Sequence, residues 1–213
     1  MTRLEIVSDP VCPWCYLGAA NLMRAVAQAD IHPFAFAWRP YQLDPEIPPE
    51  GRDRAAHMAA KFPDQRRLAE AHARLVRMGA ESGIAFRFDR ITRAPNTLDA
   101  HRVIRWAEPE GLQTRTAMAL FRRYFEEGED ISEPAVLRAA AEEAGLDGAV
   151  IATLLAGDAD RAELKAEADT ARAMGVTGVP TFLLGGRYAI VGAQPPEFWT
   201  DLIAKLEAAS AGA

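Results

Sequence analysis

The order of predicted elements at the start of the chain is the feature that most constrains its fold. Alternating residues around Leu4 to Val7 predict a short buried strand, and apolar residues at helical spacing predict a helix from Pro13 to about Ala29. Residues 34–38 alternate again as a second strand, which Arg39-Pro40 ends. A strand, a helix and a strand within forty residues are compatible with parallel strands joined by a crossover helix.

The end of the chain returns to this mixture of strands and helices. Residues 160–174 predict a helix, residues 181–184 and 187–191 predict two strands, and a final helix begins at Pro196. Gly185-Gly186 between the strands is typical of a two-residue hairpin turn. The C-terminal order is therefore helix, strand, strand, helix.

A long helical stretch separates the two ends. From about Arg52 the sequence is rich in alanine, arginine and glutamate at helical spacing, which predicts five or six helices up to about Gly175. The complete order predicts an α/β chain of thioredoxin-like fold with a large all-helical insertion. We expect residues 1–40 and 160–213 to form the discontinuous thioredoxin-like domain and residues 52–159 to form the insertion domain.

Composition excludes several classes of partner. The 213 residues carry 24 Lys and Arg against 30 Asp and Glu, a formal net charge of -6, so neither nucleic acid nor an anionic membrane is an expected partner. No stretch approaches the ~20 apolar residues that span a bilayer. Asp9 and Pro10 interrupt the first apolar run before a secretion signal could form. A cytoplasmic location is therefore expected.

The chain has two cysteines, three residues apart, which indicates that they act as a pair. Cys12 follows the first strand at the mouth of a helix, where unpaired N–H groups and the helix dipole favour a thiolate. Thiols in such positions can fall from a pKa of ~8.5 to roughly 3.5–7.5. Cys12 is then the attacking sulfur, and Cys15, one turn deeper, resolves the mixed disulfide. Pro13 and Trp14 lie between them and are expected to tune the thiolate.

Two other interpretations of the pair are weaker. A structural disulfide between residues three apart closes a very small loop and would not persist in a reducing compartment. A structural zinc site needs about four ligands. No further cysteine is present and the four histidines show no metal-ligand spacing, so no metal is expected; they are His32, His57, His72 and His101.

Three segments resemble one known family. Residues 8–18, Ser-Asp-Pro-Val-Cys-Pro-Trp-Cys-Tyr-Leu-Gly, resemble the DsbA-like thioredoxin family and its FrnE-like branch. Residues 177–182, Thr-Gly-Val-Pro-Thr-Phe, resemble that family's cis-proline loop. Residues 95–97 and 100–102 resemble the part of its helical insertion that faces the active site. The family is related to 2-hydroxychromene-2-carboxylate isomerase and to kappa-class glutathione transferases.

The resemblance implies roles for individual residues. Cys12 would be the nucleophile and Cys15 the resolving thiol of a protein disulfide oxidoreductase or isomerase. Pro180 would be cis and packed against the pair, and the backbone of Val179 would pair with an extended peptide or a thiol ligand. The insertion would cover the site and shape access to it.

The resemblance also sets expectations about cofactors and partners. No cofactor is expected to be bound, because the Cys12–Cys15 disulfide is itself the redox group; glutathione is a candidate co-substrate. The expected partners are protein or small-molecule thiols and disulfides, and a homodimer is left open.

Proton handling departs from the usual thioredoxin pattern. Many redox thioredoxins carry a buried acid on the strand before the pair, but the corresponding position, six before Cys12, is Ile6. Glu5 should point to the opposite face of the strand. The proton of Cys15 would then go to water or to another group.

Three further residues each have a functional and a structural interpretation. His101 is a natural proton shuttle near neutral pH, or else a satisfied polar residue of the insertion. The family resemblance implies that Asn96 contacts a bound thiol ligand; the structural alternative is that it caps a helix. Trp38 binds ligand, or else belongs to the core, which burial habits favour.

Two other functions compete with disulfide exchange. The first is a glutathione-dependent isomerase or transferase of the related families; these enzymes typically place serine at the first position of the motif, whereas this chain has Cys12. The second is a non-enzymatic role as a peptide-binding chaperone.

Overall fold

The computed structural model describes residues 1–30 and 32–211. The strands are β1 Thr2–Ser8, β2 Phe34–Pro40, β3 Arg52–Asp53, β4 Arg93–Ala94, β5 Thr181–Leu184 and β6 Tyr188–Val191. The α-helices are α1 Pro13–Gln28, α2 Arg54–Lys61, α3 Gln65–Glu81, α4 Leu98–Trp106, α5 Gln113–Arg122, α6 Pro134–Ala144, α7 Gly148–Leu155, α8 Arg161–Ala173 and α9 Pro196–Ala211. A π-helical turn, Arg123–Glu127, continues α5.

A four-stranded sheet in the order β2-β1-β5-β6 forms the centre of the fold. β1 pairs with β2 in parallel, and β5 pairs antiparallel with both β1 and β6. Leu4 and Ile6 of the central strand are fully buried because neighbours cover both of its edges and helices pack on the sheet. The expected α/β thioredoxin-like fold with a helical insertion is confirmed.

The helices between β2 and β5 are more numerous than the sequence pattern predicts. In the described part of the chain they are the seven helices from α2 to α8 together with the π-helical turn, so the prediction of five or six helices is wrong. α2 and α7 are each only eight residues long, and each begins at an aspartate whose side chain caps the first turn. Helices this short merge with their neighbours when periodicity is judged over longer windows.

The C-terminal hairpin differs by one residue from the prediction. Gly185 and Gly186 form its turn with φ angles of 57° and 68°, in the left-handed region that favours glycine. Leu184 pairs with Tyr188, so three residues separate the strands and Arg187 lies in the loop rather than in β6. The predicted two-residue connection is therefore wrong in its register.

The fold places the end of β1 and the start of α1 beneath the first inserted helices. Four residues connect Ser8 to Pro13, and the cysteine pair begins inside this connection. The division into domains at residues 40, 52 and 160 stays a prediction. Within the residues that the structure describes, no helix combines the length and apolar character needed to cross a membrane.

Candidate active site

Cys12 occupies the N-cap position of α1, where the chain turns from β1 into the helix. Its carbonyl accepts the N–H of Cys15 at 3.0 Å, and its own N–H donates to the Asp9 carbonyl at 2.9 Å. The Cys12 side chain makes no capping bond to the first turn; its Sγ–H donates to the carbonyl of Val179 at 3.5 Å. Only 4% of Cys12 is exposed, and the residue lines a cavity, so a reactant reaches it through that cavity.

Cys15 lies one turn deeper in α1 and is 1% exposed. Burial raises the pKa of the Cys15 thiol well above its usual range, and its hydrogen bond to Cys12 raises the pKa further. The backbone N–H of Asp9 donates to Cys15 and acts in the opposite direction. Both cysteines are free thiols. The arrangement keeps Cys15 protonated while Cys12 faces the cavity.

The loop before β5 lies against the pair, and its Val179–Pro180 peptide bond is cis. Pro180 is buried and packs against α1 at Gly18, where a Cβ added to the glycine would come within 3.1 Å of Pro180 Cγ. The side chain of Thr181 donates to the Gly178 carbonyl at 2.8 Å and closes the loop on itself. The sequence motif of residues 177–182 therefore reaches the cysteine pair across more than 160 residues of chain.

A cavity of about 550 Å³ opens beside Cys12. Its walls come from α2, α3, the loop after β2, the π-helical turn and the loop that precedes β5. Most of the side chains that line it are apolar; among them are Val11, Trp14, Leu43, Ile47, Met58, Phe62, Leu68, Leu75, Phe88 and Phe125. The inserted helices thus cover Cys12 with a largely apolar roof.

Asp9 is a buried carboxyl behind the pair, 1% exposed. Its Oδ2 accepts the N–H of Leu43 at 2.7 Å, its Oδ1 accepts the more distant N–H of Val11, and Thr97 donates to it through its hydroxyl. Burial outweighs these bonds and raises the pKa of Asp9 to about 7. The charge of Asp9 in turn raises the pKa of Cys15, so the two groups are electrostatically linked.

A dithiol at a helix start, a cis-proline loop and a helical roof together match a known family. The family model described as DSBA-like thioredoxin domain matches residues 3–204. The chain belongs to the DSBA-like thioredoxin domain family. Among solved structures, that described as a probable DsbA oxidoreductase from Streptomyces coelicolor has a TM-score of 0.85 and 29% identity, covering 98% of this chain and 91% of the other.

Other solved structures and one curated sequence are also similar to this DsbA-like protein. The cytosolic disulfide reductase DsbM from Pseudomonas aeruginosa, solved with GSH, is 22% identical with a TM-score of 0.68, covering 95% of this chain and 98% of that one. A 2-hydroxychromene-2-carboxylate isomerase is 18% identical with a TM-score of 0.64, covering 98% and 94%. The uncharacterized protein YwbO of Bacillus subtilis is 26% identical over 187 residues, 86% of each chain.

The structure places His101 of this DsbA-like protein deep behind the cavity. Its Nε2 lies 3.1 Å from the Tyr41 carbonyl, a distance at which the ring nitrogen carries the proton and donates. Burial lowers the pKa of His101 to about 4, so the ring is neutral at pH 7 and the 3.8 Å approach to Asp9 is not an ion pair. Of its two interpretations, the structure favours the satisfied buried residue over the proton shuttle.

Asn96 and Trp38 are held by structural contacts. Asn96 Oδ1 accepts the N–H of Leu98 at 2.9 Å at the start of α4, and its Nδ2 donates to the Ile47 carbonyl. Trp38 is 4% exposed in the core, and its indole N–H donates to Thr114 at 3.0 Å. Neither residue lines the cavity beside Cys12.

The buried acid is a feature of the site that the sequence pattern does not predict. The strand position at which an acid is expected holds Ile6, whereas the carboxyl behind the pair belongs to Asp9, in the turn after the strand. An acidic residue three positions before the first cysteine is the available signal. Its hydrogen-bond donors Leu43 and Thr97 are distant in sequence, so no local signal shows that they meet it.

Proposed function

We propose that this protein catalyses thiol–disulfide exchange through Cys12 and Cys15. One observation carries the proposal: Cys12 lines a cavity beside a cis-proline loop, while a protonated Cys15 is buried directly behind it. Membership of the DsbA-like oxidoreductase family supports it. The small loop between the cysteines makes a purely structural disulfide a poor alternative.

The first step takes place at Cys12. In the reducing direction its thiolate attacks one sulfur of the substrate disulfide, the substrate S–S bond breaks, and the departing sulfur leaves as a thiolate that takes up a proton. A mixed disulfide then joins Cys12 to the other half of the substrate. The Val179 carbonyl, which accepts the Cys12 thiol in the resting protein, is free to accept an N–H of the bound substrate once that thiol has reacted.

The second step requires Cys15 to lose its proton. Its thiolate attacks Cys12, the mixed disulfide breaks, and the second half of the substrate leaves as a thiolate that takes up a proton from solvent, while the enzyme becomes the Cys12–Cys15 disulfide. In our proposal the carboxylate of Asp9 receives the proton of Cys15, since its pKa of about 7 suits proton exchange near neutral pH. Oxidation of a substrate follows the same steps in reverse.

Insulin reduction and refolding of a scrambled disulfide protein test the proposal. We expect Cys12→Ala to abolish both activities and Cys15→Ala to accumulate a mixed disulfide that mass spectrometry detects. Equilibration with a glutathione redox series gives the potential and therefore the favoured direction. If the wild-type protein is inactive in both assays while its two thiols titrate normally, the proposal is wrong.

We further propose glutathione as a co-substrate and the cytoplasm as the place of action. One structural relative, described as a cytosolic disulfide reductase and solved with GSH, supports both. The expected result is that reduced glutathione recycles the Cys12–Cys15 disulfide during turnover. If glutathione does not support turnover and another thiol is required, glutathione is not the co-substrate.

A further inference from the structure

The cavity beside Cys12 has the dimensions of a small-molecule site. Its volume of about 550 Å³ lies within the roughly 300–1,000 Å³ typical of ligand pockets. Apolar side chains reach it from three directions: Leu43 from the loop after β2, Met58 and Leu68 from the inserted helices, and Phe125 from the π-helical turn. Such walls favour an apolar body over a polar peptide.

The cationic side chains that line the cavity differ in their partners. Lys61 and His57 both contact the carboxylate of Asp44, and Arg67 contacts Asp64 at 3.2 Å. Arg54 is the exception: in the part of the chain that the structure describes, no carboxylate lies within ion-pair distance of its guanidinium. Its hydrogen bond from Nη1 to the hydroxyl of Tyr124 is long, at 3.4 Å.

The positive charge of Arg54 acts on the interior of the site. Arg54 is half-buried and begins α2. Burial and then the charge of Arg54 lower the pKa of His72, another residue of the cavity wall, which keeps that ring neutral. A guanidinium in apolar surroundings binds a carboxylate strongly, because its planar fork makes two parallel charge-assisted hydrogen bonds.

We propose that the preferred substrate is a small organic dithiol or disulfide whose apolar body carries a carboxylate. The sulfur meets Cys12, the apolar body lies between α2 and α3, and the carboxylate pairs with Arg54. This inference rests on the proposed function and names the substrate class of the same site. Dihydrolipoate, an aliphatic chain with a dithiol at one end and a carboxylate at the other, has this chemistry and is a convenient probe.

The reaction with the probe balances without another reactant. One thiolate of dihydrolipoate attacks Cys12 in the Cys12–Cys15 disulfide, the S–S bond of the enzyme breaks, and Cys15 leaves as a thiolate that takes a proton. The second thiolate of the probe then attacks the probe's first sulfur, which is bound to Cys12 in the mixed disulfide. This closes the ring of lipoate and releases Cys12 as a thiolate that takes up a proton. The probe is oxidised by two electrons to lipoate, and the enzyme gains those electrons with two protons as two thiols.

The experiment compares dihydrolipoate with dihydrolipoamide, which has the same dithiol and chain but no charge. Stopped-flow tryptophan fluorescence, to which Trp14 between the two cysteines contributes, reports reduction of the oxidised full-length protein. We expect dihydrolipoate to react about tenfold faster at subsaturating concentration, as a charge-assisted bond of ordinary strength provides. Arg54→Gln should remove this difference by slowing dihydrolipoate alone, and Arg54→Lys should restore part of it.

Arg66→Gln is the matched control. It removes an equal charge from the start of α3, but Arg66 is 84% exposed, pairs with Glu70 and does not line the cavity. The control should keep the tenfold preference. A loss of the preference in Arg66→Gln equal to that in Arg54→Gln would show that net charge, and not the Arg54 contact, is responsible, and would overturn the proposal.

A second measurement does not depend on any variant. Octanoate, which has the chain and the carboxylate but no sulfur, should slow alkylation of Cys12 in the reduced wild-type protein several-fold, and octanamide should not. Equal rates for the charged and uncharged dithiols overturn the substrate class even if insulin is reduced, in which case the proposed function stands. Failure with insulin and with both dithiols removes the proposed function itself.

Discussion

Burial changes the protonation of two neighbouring side chains behind the cysteine pair in opposite directions. It raises the pKa of Asp9 to about 7 and lowers the pKa of His101 to about 4. The folded protein therefore holds a proton on Asp9 between about pH 4 and 7 that the unfolded chain has lost, and stability falls as pH rises through this window. Between about pH 4 and 6.5 the unfolded chain binds a proton at His101 that the folded protein excludes, so there stability rises with pH.

These two contributions nearly cancel in the wild-type protein, and His101→Gln should uncover the Asp9 contribution. Gln keeps a neutral donor for the Tyr41 carbonyl but does not titrate. We expect the variant to lose stability between pH 4.5 and 7 relative to wild type by on the order of 2–3 kcal/mol, at ~1.4 kcal/mol per pKa unit. Urea unfolding at several pH values measures this change. Parallel pH profiles for the two proteins would contradict it.

The carboxyl of Asp9 gives a second prediction at this scale. Because Asp9→Asn cannot accept the proton of Cys15, it should slow release of the mixed disulfide by about 10²-fold, within the range of general acid–base catalysis. Attack by Cys12 on the substrate should change much less. Single-turnover kinetics across pH 6–9 separate the two steps, and the wild-type inflection near pH 7 in the release step should vanish in Asp9→Asn. An unchanged inflection would assign proton transfer to another group.

The close approach of α1 to the cis-proline loop is a property of whole elements. A Cβ on Gly18 would lie 3.1 Å from Pro180 Cγ and 3.3 Å from both Phe182 and the backbone of Ala193. The three neighbours belong to the cis-proline loop, to β5 and to the segment before α9. None of them can move away without disturbing one of these elements. Glycine at this position lets the helix and the loop pack directly behind the cysteine pair.

Gly18→Ala should therefore destabilise the protein although alanine favours helices. Overpacking of this kind costs ~1–3 kcal/mol, against ~1 kcal/mol of helix propensity gained. Denaturant unfolding gives the free energy, and disulfide exchange should slow because the loop moves relative to Cys12. Gly157→Ala is the control, since the nearest atom to its Cβ is 3.9 Å away. Equal stability for both variants would show that the loop accommodates the methyl group.

The strands and helices that the sequence predicts well are those with clear local signals. Alternation in β1 and β2 and proline at the start of α1 and α9 place these elements within a residue or two. The helix count fails where helices are short, as in α2 and α7, because eight residues provide barely two turns of periodicity. The predicted hairpin register is wrong because β5 and β6 pair along their whole length, and this pairing places Leu184 opposite Tyr188.

At the scale of the whole molecule, the active site is shared between the sheet and the insertion. The start of α1 provides the cysteines, which a motif of four residues reveals. Leu43 and Thr97 donate hydrogen bonds to Asp9, and α2 brings Arg54 to the cavity. These residues lie far from the motif along the chain, so one sequence gives no sign that they meet it. The cysteine pair is visible in the sequence, whereas the buried acid behind it and the position of Arg54 in the cavity wall are not.

The point where the insertion rejoins the sheet is held by one buried cation, Arg102 of α4. It is fully buried, and its guanidinium donates to the carbonyls of Leu154, Gly157 and Ala159 at 2.6–2.8 Å as well as to Asp99 at 2.9 Å. These carbonyls belong to the end of α7 and the connection to α8, and α8 packs against both α4 and β2. Arg102 thus fixes the connection that leads from α7 into α8, the helix that packs on β2.

Arg102→Lys keeps the buried charge but loses the planar fork, so the carbonyls of Leu154, Gly157 and Ala159 must share one ammonium. We expect a loss of ~1–3 kcal/mol in the free energy of unfolding, since a hydrogen bond to a charged group contributes ~1.5–3 kcal/mol and the lysine keeps only part of the set. Arg138→Lys, at an exposed pair with Glu142, should stay within ~0.5 kcal/mol of wild type. If Arg102 couples the insertion to the sheet, circular dichroism and tryptophan fluorescence of Arg102→Lys will report one shared unfolding transition, at a lower urea concentration than in the wild-type protein. Two separate transitions in the wild-type protein would mean that the insertion unfolds independently, and the predicted coupling would be wrong.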